Sequence, residues 1–186
     1  GYFCDNLDQT FAGQRYLARQ LRYVSRSKAV PLNATDLGDL NVFPLETEKH
    51  FSSVISQCEA VLELGAYLVL VGGDSSGLKA LGAAVQNVIN PDVPIVSLSN
   101  NNKLNLSKTQ KIILSVDLKE LAGKWLSKPR RLNGLSPSQI ISQINNIPNK
   151  IIAVAIFGLA PELDSRGSTE TQVALNILEA VVKRLN

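Results

Sequence analysis

Four short segments hold the residue types that could do chemistry. They are Gly72-Gly73-Asp74-Ser75-Ser76-Gly77, Ser99-Asn100-Asn101-Asn102-Lys103, Asp117-Leu118-Lys119 and Gly158-Leu159-Ala160-Pro161-Glu162. The first pairs glycines with hydroxyls ahead of a helical pattern, so free backbone N–H groups there could hold an anion. It lacks the Walker spacing and the Lys-Ser/Thr that follows it, which argues against a nucleotide P-loop. It does contain Gly73-x-Ser75-x-Gly77, the spacing of a nucleophile elbow. An elbow serine needs its histidine later in the chain. The chain has one histidine, His50, which comes earlier, so serine hydrolase chemistry is not expected. The same loop has a purely structural role open to it, a tight strand-to-helix turn with Ser75 or Ser76 capping the helix. One histidine and two cysteines, Cys4 and Cys58, cannot build a Cys/His zinc cluster or a disulfide framework. This cysteine usage fits a reducing, cytoplasmic setting.

The elements that must position these segments follow from apolar patterning. Tyr67 to Val71, Pro94 to Leu98, Ile112 to Val116 and Ile151 to Phe157 are short apolar runs, as strands buried on both faces require. Gly1 to Cys4 reads as a further short strand. Helical stripes alternate with them. Leu17, Leu21 and Val24 form one, with Arg15, Arg19 and Arg22 expected as a solvated face. Phe51, Val54, Ile55, Cys58, Val61 and Leu62 form a second that ends near Gly65, and His50 just before it is expected at the surface. Leu78 to Ile89, Ile140 to Ile144 and Val173 to Leu185 supply the rest, with Ser136-Pro137 as an N-cap and first helical residue. Strand–helix alternation of this kind predicts an α/β chain, a three-layer α/β/α sandwich with a mostly parallel sheet. In such sheets ligands bind beyond the carboxyl ends of the strands. All four segments lie there, so they are expected to converge on one pocket.

Composition bounds the alternatives. The chain has 186 residues with 19 Lys plus Arg and 16 Asp plus Glu, for a formal charge of +3. Apolar residues make up 45% and charged residues 19%, the balance of a globular core and not of a disordered chain. No apolar run approaches the ~18 residues of a membrane helix. Lys124, Lys128, Arg130 and Arg131 surround Trp125, but one aromatic among four cations makes an exposed loop, not a nucleic-acid site. Cys4 and Cys58 fall on faces expected to be buried and inert. The chain lacks methionine, even at position 1, so its native start is expected to lie upstream or to be processed.

Taken in order, the segments resemble the ureohydrolase superfamily of arginase, agmatinase and formiminoglutamase. Gly1-Tyr2-Phe3-Cys4-Asp5 is similar to the opening Gly-x-x-Cys-Asp strand of formiminoglutamase-like members, and Asp36-Leu37-Gly38-Asp39 to their Asp-Leu-Gly-Asp turn. Gly72-Gly73-Asp74-Ser75-Ser76 resembles Gly-Gly-Asp-His-Ser, and Ser115-Val116-Asp117-Leu118-Lys119 resembles Ser-x-Asp-x-Asp. Ile95 to Lys103 stands in the place of the Asp-Ala-His-x-Asp metal strand. Asn133-Gly134-Leu135-Ser136 resembles Gly-Gly-Leu-Ser/Thr, and Pro161 to Thr169 resembles Asn-Pro-x-x-Asp-x-x-Gly-x-Thr. The set covers almost the whole chain. Family members are longer, with loops over the active-site edge, so residues 1–186 are expected to form a single truncated domain.

The resemblance implies a pair of manganese ions, and the departures fall on their ligands. The loop histidine is Ser75, and the metal-strand positions are Ser99, Asn101 and Lys103. The carboxylate pair keeps Asp117, but its partner is Lys119. The acidic position that would face a guanidinium is Gly158. Two divalent ions need several anionic oxygens around them. An ammonium about 4 Å from a cation is instead repelled, by ~4 kcal/mol per unit charge at an effective dielectric near 20. Lys103 and Lys119 are therefore expected either to point inward and pair with Asp74 and Asp117 in place of metal, or to turn to solvent. The leading expectation is a non-catalytic, metal-free relative that binds or regulates. Its ligand pocket is expected to comprise Asp74, Ser75, Ser99, Asn101, Lys103, Asp117, Lys119, Gly158 and Glu162. The alternatives are a residual hydrolase of linear amidine C–N bonds using Asp74 and Asp117, and an anion module using the Gly72–Gly77 loop and Lys103. Expected partners are a second copy or a related subunit, or a small anion, and not nucleic acid or membrane.

Overall fold

The computed structural model describes residues 1–2, 4, 13–26, 32–43, 45–98, 110–122, 125, 134–161 and 169–186. Within them the sheet has four strands, β1 (Leu68–Val71), β2 (Ile95–Ser97), β3 (Lys111–Asp117) and β4 (Lys150–Phe157), in the order β1-β4-β3-β2. Every pairing is parallel. Five helices surround it: α1 (Leu17–Ser25), α2 (Thr47–Glu63), α3 (Ser76–Val88), α4 (Pro137–Asn146) and α5 (Thr169–Leu185).

Two apolar clusters divide the molecule into layers. Leu17 and Leu21 of α1, Ile140 and Ile144 of α4, and Val173 and Ile177 of α5 pack with Leu114, Val116, Val154 and Ile156 on one face of the sheet. Val54, Cys58 and Leu62 of α2 and Leu81 and Val85 of α3 pack with Ile113, Ala153 and Ala155 on the other. The central strands β3 and β4 are thus apolar on both faces, which is why their sequences read as unbroken runs and not as alternation. The expected three-layer α/β/α sandwich is the observed architecture.

Local chemistry explains the boundaries. Ser136 caps α4 in a reciprocal box. Its hydroxyl accepts from Gln139 N (3.2 Å), and its own N–H donates to Gln139 Oε1 (2.7 Å). Pro137 fills the first helical turn, where a missing N–H costs nothing. Gly65 (φ 72°) follows the last turn of α2 and donates to Leu62 O, the left-handed stop its position suggested. Between Ile112 and Ile113 the β3–β4 register shifts, so that Asp117 comes level with Phe157.

Three expectations are corrected. Gly1, Tyr2 and Cys4 do not form a strand. Tyr2 N donates to Val71 O (2.8 Å) and Cys4 O accepts from Asp74 N (2.9 Å), but between these bonds Gly72 (φ 100°) and Gly73 (φ 67°) bend the neighbouring chain out of extended geometry. His50 is not at the surface but 1% exposed, because it sits on the same stripe as Val54, Cys58 and Leu62. Arg22 does not belong to a solvated face. It is half-buried and holds Asp36 through Nε (2.6 Å) and Nη2 (3.0 Å) and Asp39 through Nη1 (2.6 Å). That fork ties the Asp36–Asp39 turn to α1 and depresses Asp36 to about 2. Cys4 and Cys58 are buried free thiols as expected, and burial pushes Cys58 up to about 11. The basic loop residues Lys124, Lys128, Arg130 and Arg131 lie outside the described residues, whereas Trp125 packs against the core.

Candidate functional site

The strand order fixes where a crevice opens. β1 and β4 are neighbours, yet β1 leads into α3 on one face of the sheet while β4 leads toward α5 on the other. In open parallel sheets the carboxyl edge where loops part in this way is where ligands bind. That edge is lined by the Gly72–Gly77 loop and the Phe157–Gly158 turn, joined where Gly158 N donates to Gly73 O (3.3 Å). The neighbouring end of β3 contributes Asp117 and Lys119.

The β3 side is an ion pair set against a glycine. Asp117 caps the short 3-10 turn Leu118–Glu120, its Oδ1 accepting from Lys119 N at 2.9 Å. Lys119 Nζ lies 3.6 Å from Asp117 Oδ2 and 6.0 Å from the centre of the Phe157 ring. Gly158 makes room for both. Its φ is 89°, and a Cβ there would collide with Asp117 Oδ1 and lie 3.1 Å from Lys119 Cε. An acidic side chain at this position would displace the pair. Burial raises the Asp117 carboxyl above its ordinary value, and the Lys119 N–H bond and ammonium only partly offset it.

The β1 side is closed off differently. Asp74 is 1% exposed, and its Oδ1 accepts from the Ser76 N–H (2.9 Å) and from the Ser76 hydroxyl. The expected side-chain cap by Ser75 or Ser76 is therefore not made, since Asp74 bonds the first turn of α3 instead. Gly73 N donates to Gln14 O (3.0 Å), Asp74 N to Cys4 O (2.9 Å) and Gly77 N to Asp74 O (3.4 Å). An anion at this loop would have to displace those bonds.

A polar chain that the sequence reading missed runs behind the loop. Tyr2 Oη lies 2.5 Å from Ser76 Oγ and 2.8 Å from His50 Nε2, and Phe43 N donates to His50 Nδ1 at 3.3 Å. Burial lowers the His50 pKa, against the opposing pull of Asp74, and raises that of Tyr2. The available signal was the spacing 50–54–58–62, one face of α2 at intervals of four.

Of the expected pocket residues, the structure brings together Asp117, Lys119 and Gly158, with the loop of Asp74 and Ser75 on the same edge. Lys119 pairs with Asp117, whereas Asp74 turns into the α2–α3 layer toward Ser76. Ser99, Asn101, Lys103 and Glu162 lie outside the described residues. Among the described residues no helix is long and apolar enough to cross a membrane.

No family model matches the sequence, and no curated protein matches it either. Solved structures do match in shape. Proclavaminate amidino hydrolase from Streptomyces clavuligerus superposes with a TM-score of 0.83 at 14% identity, over 100% of this chain and 90% of that one. Formimidoylglutamase from Bacillus subtilis gives 0.76 at 13%, over 100% and 86%. Trypanosoma cruzi formiminoglutamase, solved with manganese, gives 0.73 at 13%, over 99% and 92%. Asp117 holds an ammonium, Asp74 holds Ser76, and no group of three or more His, Cys, Asp or Glu gathers among the described residues. The parallel sheet, its two helical layers and these likenesses together show that the chain has the arginase-like fold of the ureohydrolases.

Proposed function

We propose that this chain is a ureohydrolase-superfamily protein that works without a binuclear manganese centre, as a non-catalytic binding or regulatory protein. The observation that supports this reading is the Lys119 ammonium, 3.6 Å from Asp117 Oδ2 at the carboxyl edge of the sheet. A divalent ion on Asp117 would meet that positive charge at short range, and the pair already neutralises the carboxylate. Ser75, Ser99, Asn101 and Lys103, at the remaining ligand positions of the resemblance, offer no anionic oxygen. Gly158, at the acidic position expected to face a guanidinium, offers none either. In this reading a single domain keeps the sheet and its carboxyl edge, and its partners are copies of itself or a related, metal-competent subunit in the cytoplasm.

The test is to measure manganese content in the purified protein, its melting curve with and without manganese, and urea or formamide release from guanidino and formimino substrates. The proposal expects no stoichiometric metal, no manganese-dependent shift and no release. Stoichiometric manganese accompanied by hydrolysis overturns it in favour of a working amidine hydrolase. Lys119→Asp provides the converse arm, with manganese affinity expected to rise once the charge at this position is reversed.

A further inference from the structure

The buried polar chain behind the loop has a direction. Phe43 N–H donates to His50 Nδ1, so Nδ1 carries the lone pair and Nε2 carries the proton. Nε2–H then donates to Tyr2 Oη, Tyr2 O–H to Ser76 Oγ, and Ser76 O–H to Asp74 Oδ1, an atom that only accepts. Each hydroxyl takes one proton and gives one. The four side chains are 1%, 0%, 4% and 1% exposed, so no water competes for these positions. The order of donors is set at both ends, by a backbone N–H at one and a carboxylate at the other.

We propose that His50 is a proton-sensitive latch. As the neutral Nε2–H tautomer it holds Tyr2, Ser76 and the Asp74 loop to α2, and protonation drives the ring off the Phe43 N–H and out of its bond to Tyr2, which loosens that loop. An added proton must go to Nδ1, where it faces the Phe43 N–H, donor against donor. The cation would also be buried among Tyr2 from the N-terminal segment and the edge of the Phe51 ring on its own helix. Asp74, in the loop after β1, is the charged group that favours it, and two hydroxyls stand between them. Lys49, next to His50 on α2, lies over the Phe43 ring (4.2 Å from its centre). Opening is therefore expected below the ordinary histidine range. Because the folded pKa is lowered, the latch is fully closed above the unfolded value and is lost as pH falls through the folded one. The latch concerns how the loop is held and is independent of what the crevice binds.

His50 is the one histidine in the chain, so its ring nitrogens can be observed without assignment work. Long-range proton–nitrogen correlation on uniformly labelled protein, followed with pH, should show a pyridine-type Nδ1 and a pyrrole-type Nε2 at neutrality. As His50 titrates, exchange of the Asp74, Ser76 and Gly77 amides should rise at least tenfold, while that of Ile112 to Val116 holds. In Ser76→Ala, which cuts the chain beyond Tyr2, the tautomer should persist but loop exchange should no longer follow the titration. The Nδ1–H tautomer, a titration with unmoved loop exchange, or a titration that coincides with global unfolding each overturns the latch. So does a Ser76→Ala variant whose loop still follows His50.

Discussion

Replacing Lys119 with methionine tests the chemistry of the crevice most directly. The chain of methylenes is kept and the ammonium removed. At 3.6 Å the attraction between Nζ and Asp117 Oδ2 amounts to about 4–5 kcal/mol gross at an effective dielectric near 20. The two side chains are 13% and 27% exposed, so water screens part of this, and Asp117 keeps the Lys119 backbone N–H. The net loss should be about 1–2 kcal/mol at neutral pH. Its pH dependence gives the sharper test. Asp117 has a raised folded pKa, so its contribution is fully present below the ordinary aspartate value of ~3.9 and is lost as pH rises through the folded value. Without Lys119 that pKa rises further. The variant should therefore lose most at about pH 7 and approach wild type near pH 3.5, where the carboxyl is protonated either way. Urea denaturation at both pH values, repeated in an Asp117→Asn background, measures this. An equal cost at the two pH values, or an equal cost with and without the Asp117 charge, would refute the ion pair as the source.

Gly158→Ala should cost about 2–3 kcal/mol, from a left-handed φ and a Cβ driven into Asp117, and urea denaturation would show it. Arg22→Met should cost about 1 kcal/mol or less, since Asp36 is 58% exposed, and that loss should fade as acid protonates Asp36 between its unfolded pKa and about 2. Calorimetry across that range gives the comparison, and a loss that persists undiminished at the acid end contradicts the fork. Ser136→Ala removes one half of the α4 capping box and should cost ~1 kcal/mol, a fall of about 2–4 °C in Tm.

The layers were legible in the sequence because the central strands are apolar on both faces and the helices on one. Gly65 and Ser136-Pro137 marked their helix ends for reasons of backbone geometry that hold wherever those residues fall. Of the strand expected at Gly1–Cys4, the described residues Gly1, Tyr2 and Cys4 lie outside regular pairing, because Gly72 and Gly73 bend the neighbouring chain between the two bonds it makes to Tyr2 and Cys4. His50 was misread because a polar type near a helix start suggests solvent, while its interval of four from Val54 put it under Tyr2. The sequence left Lys119 open to solvent or to the interior, and it turns inward by folding back on Asp117, two residues earlier. That short reach follows from the 3-10 turn between them, which no periodicity in the sequence announces. Asp74 binds Ser76, two residues on, and Ser76 in turn meets Tyr2, 74 residues away, a contact that no local pattern announces.

The glycines at 73 and 77 have one further consequence. A Cβ on Gly73 would strike the Tyr2 ring, and one on Gly77 would lie 2.8 Å from it. The ring occupies volume that position 77 has given up, so 2 and 77 can vary only as a pair, whereas a φ of 67° and the Cys4 carbonyl also bar a side chain at 73. Randomising 73 and 77 alone should return almost nothing but glycine. Letting position 2 shrink at the same time should admit alanine or serine at 77, and relatives that carry a smaller second residue should carry a bulkier seventy-seventh.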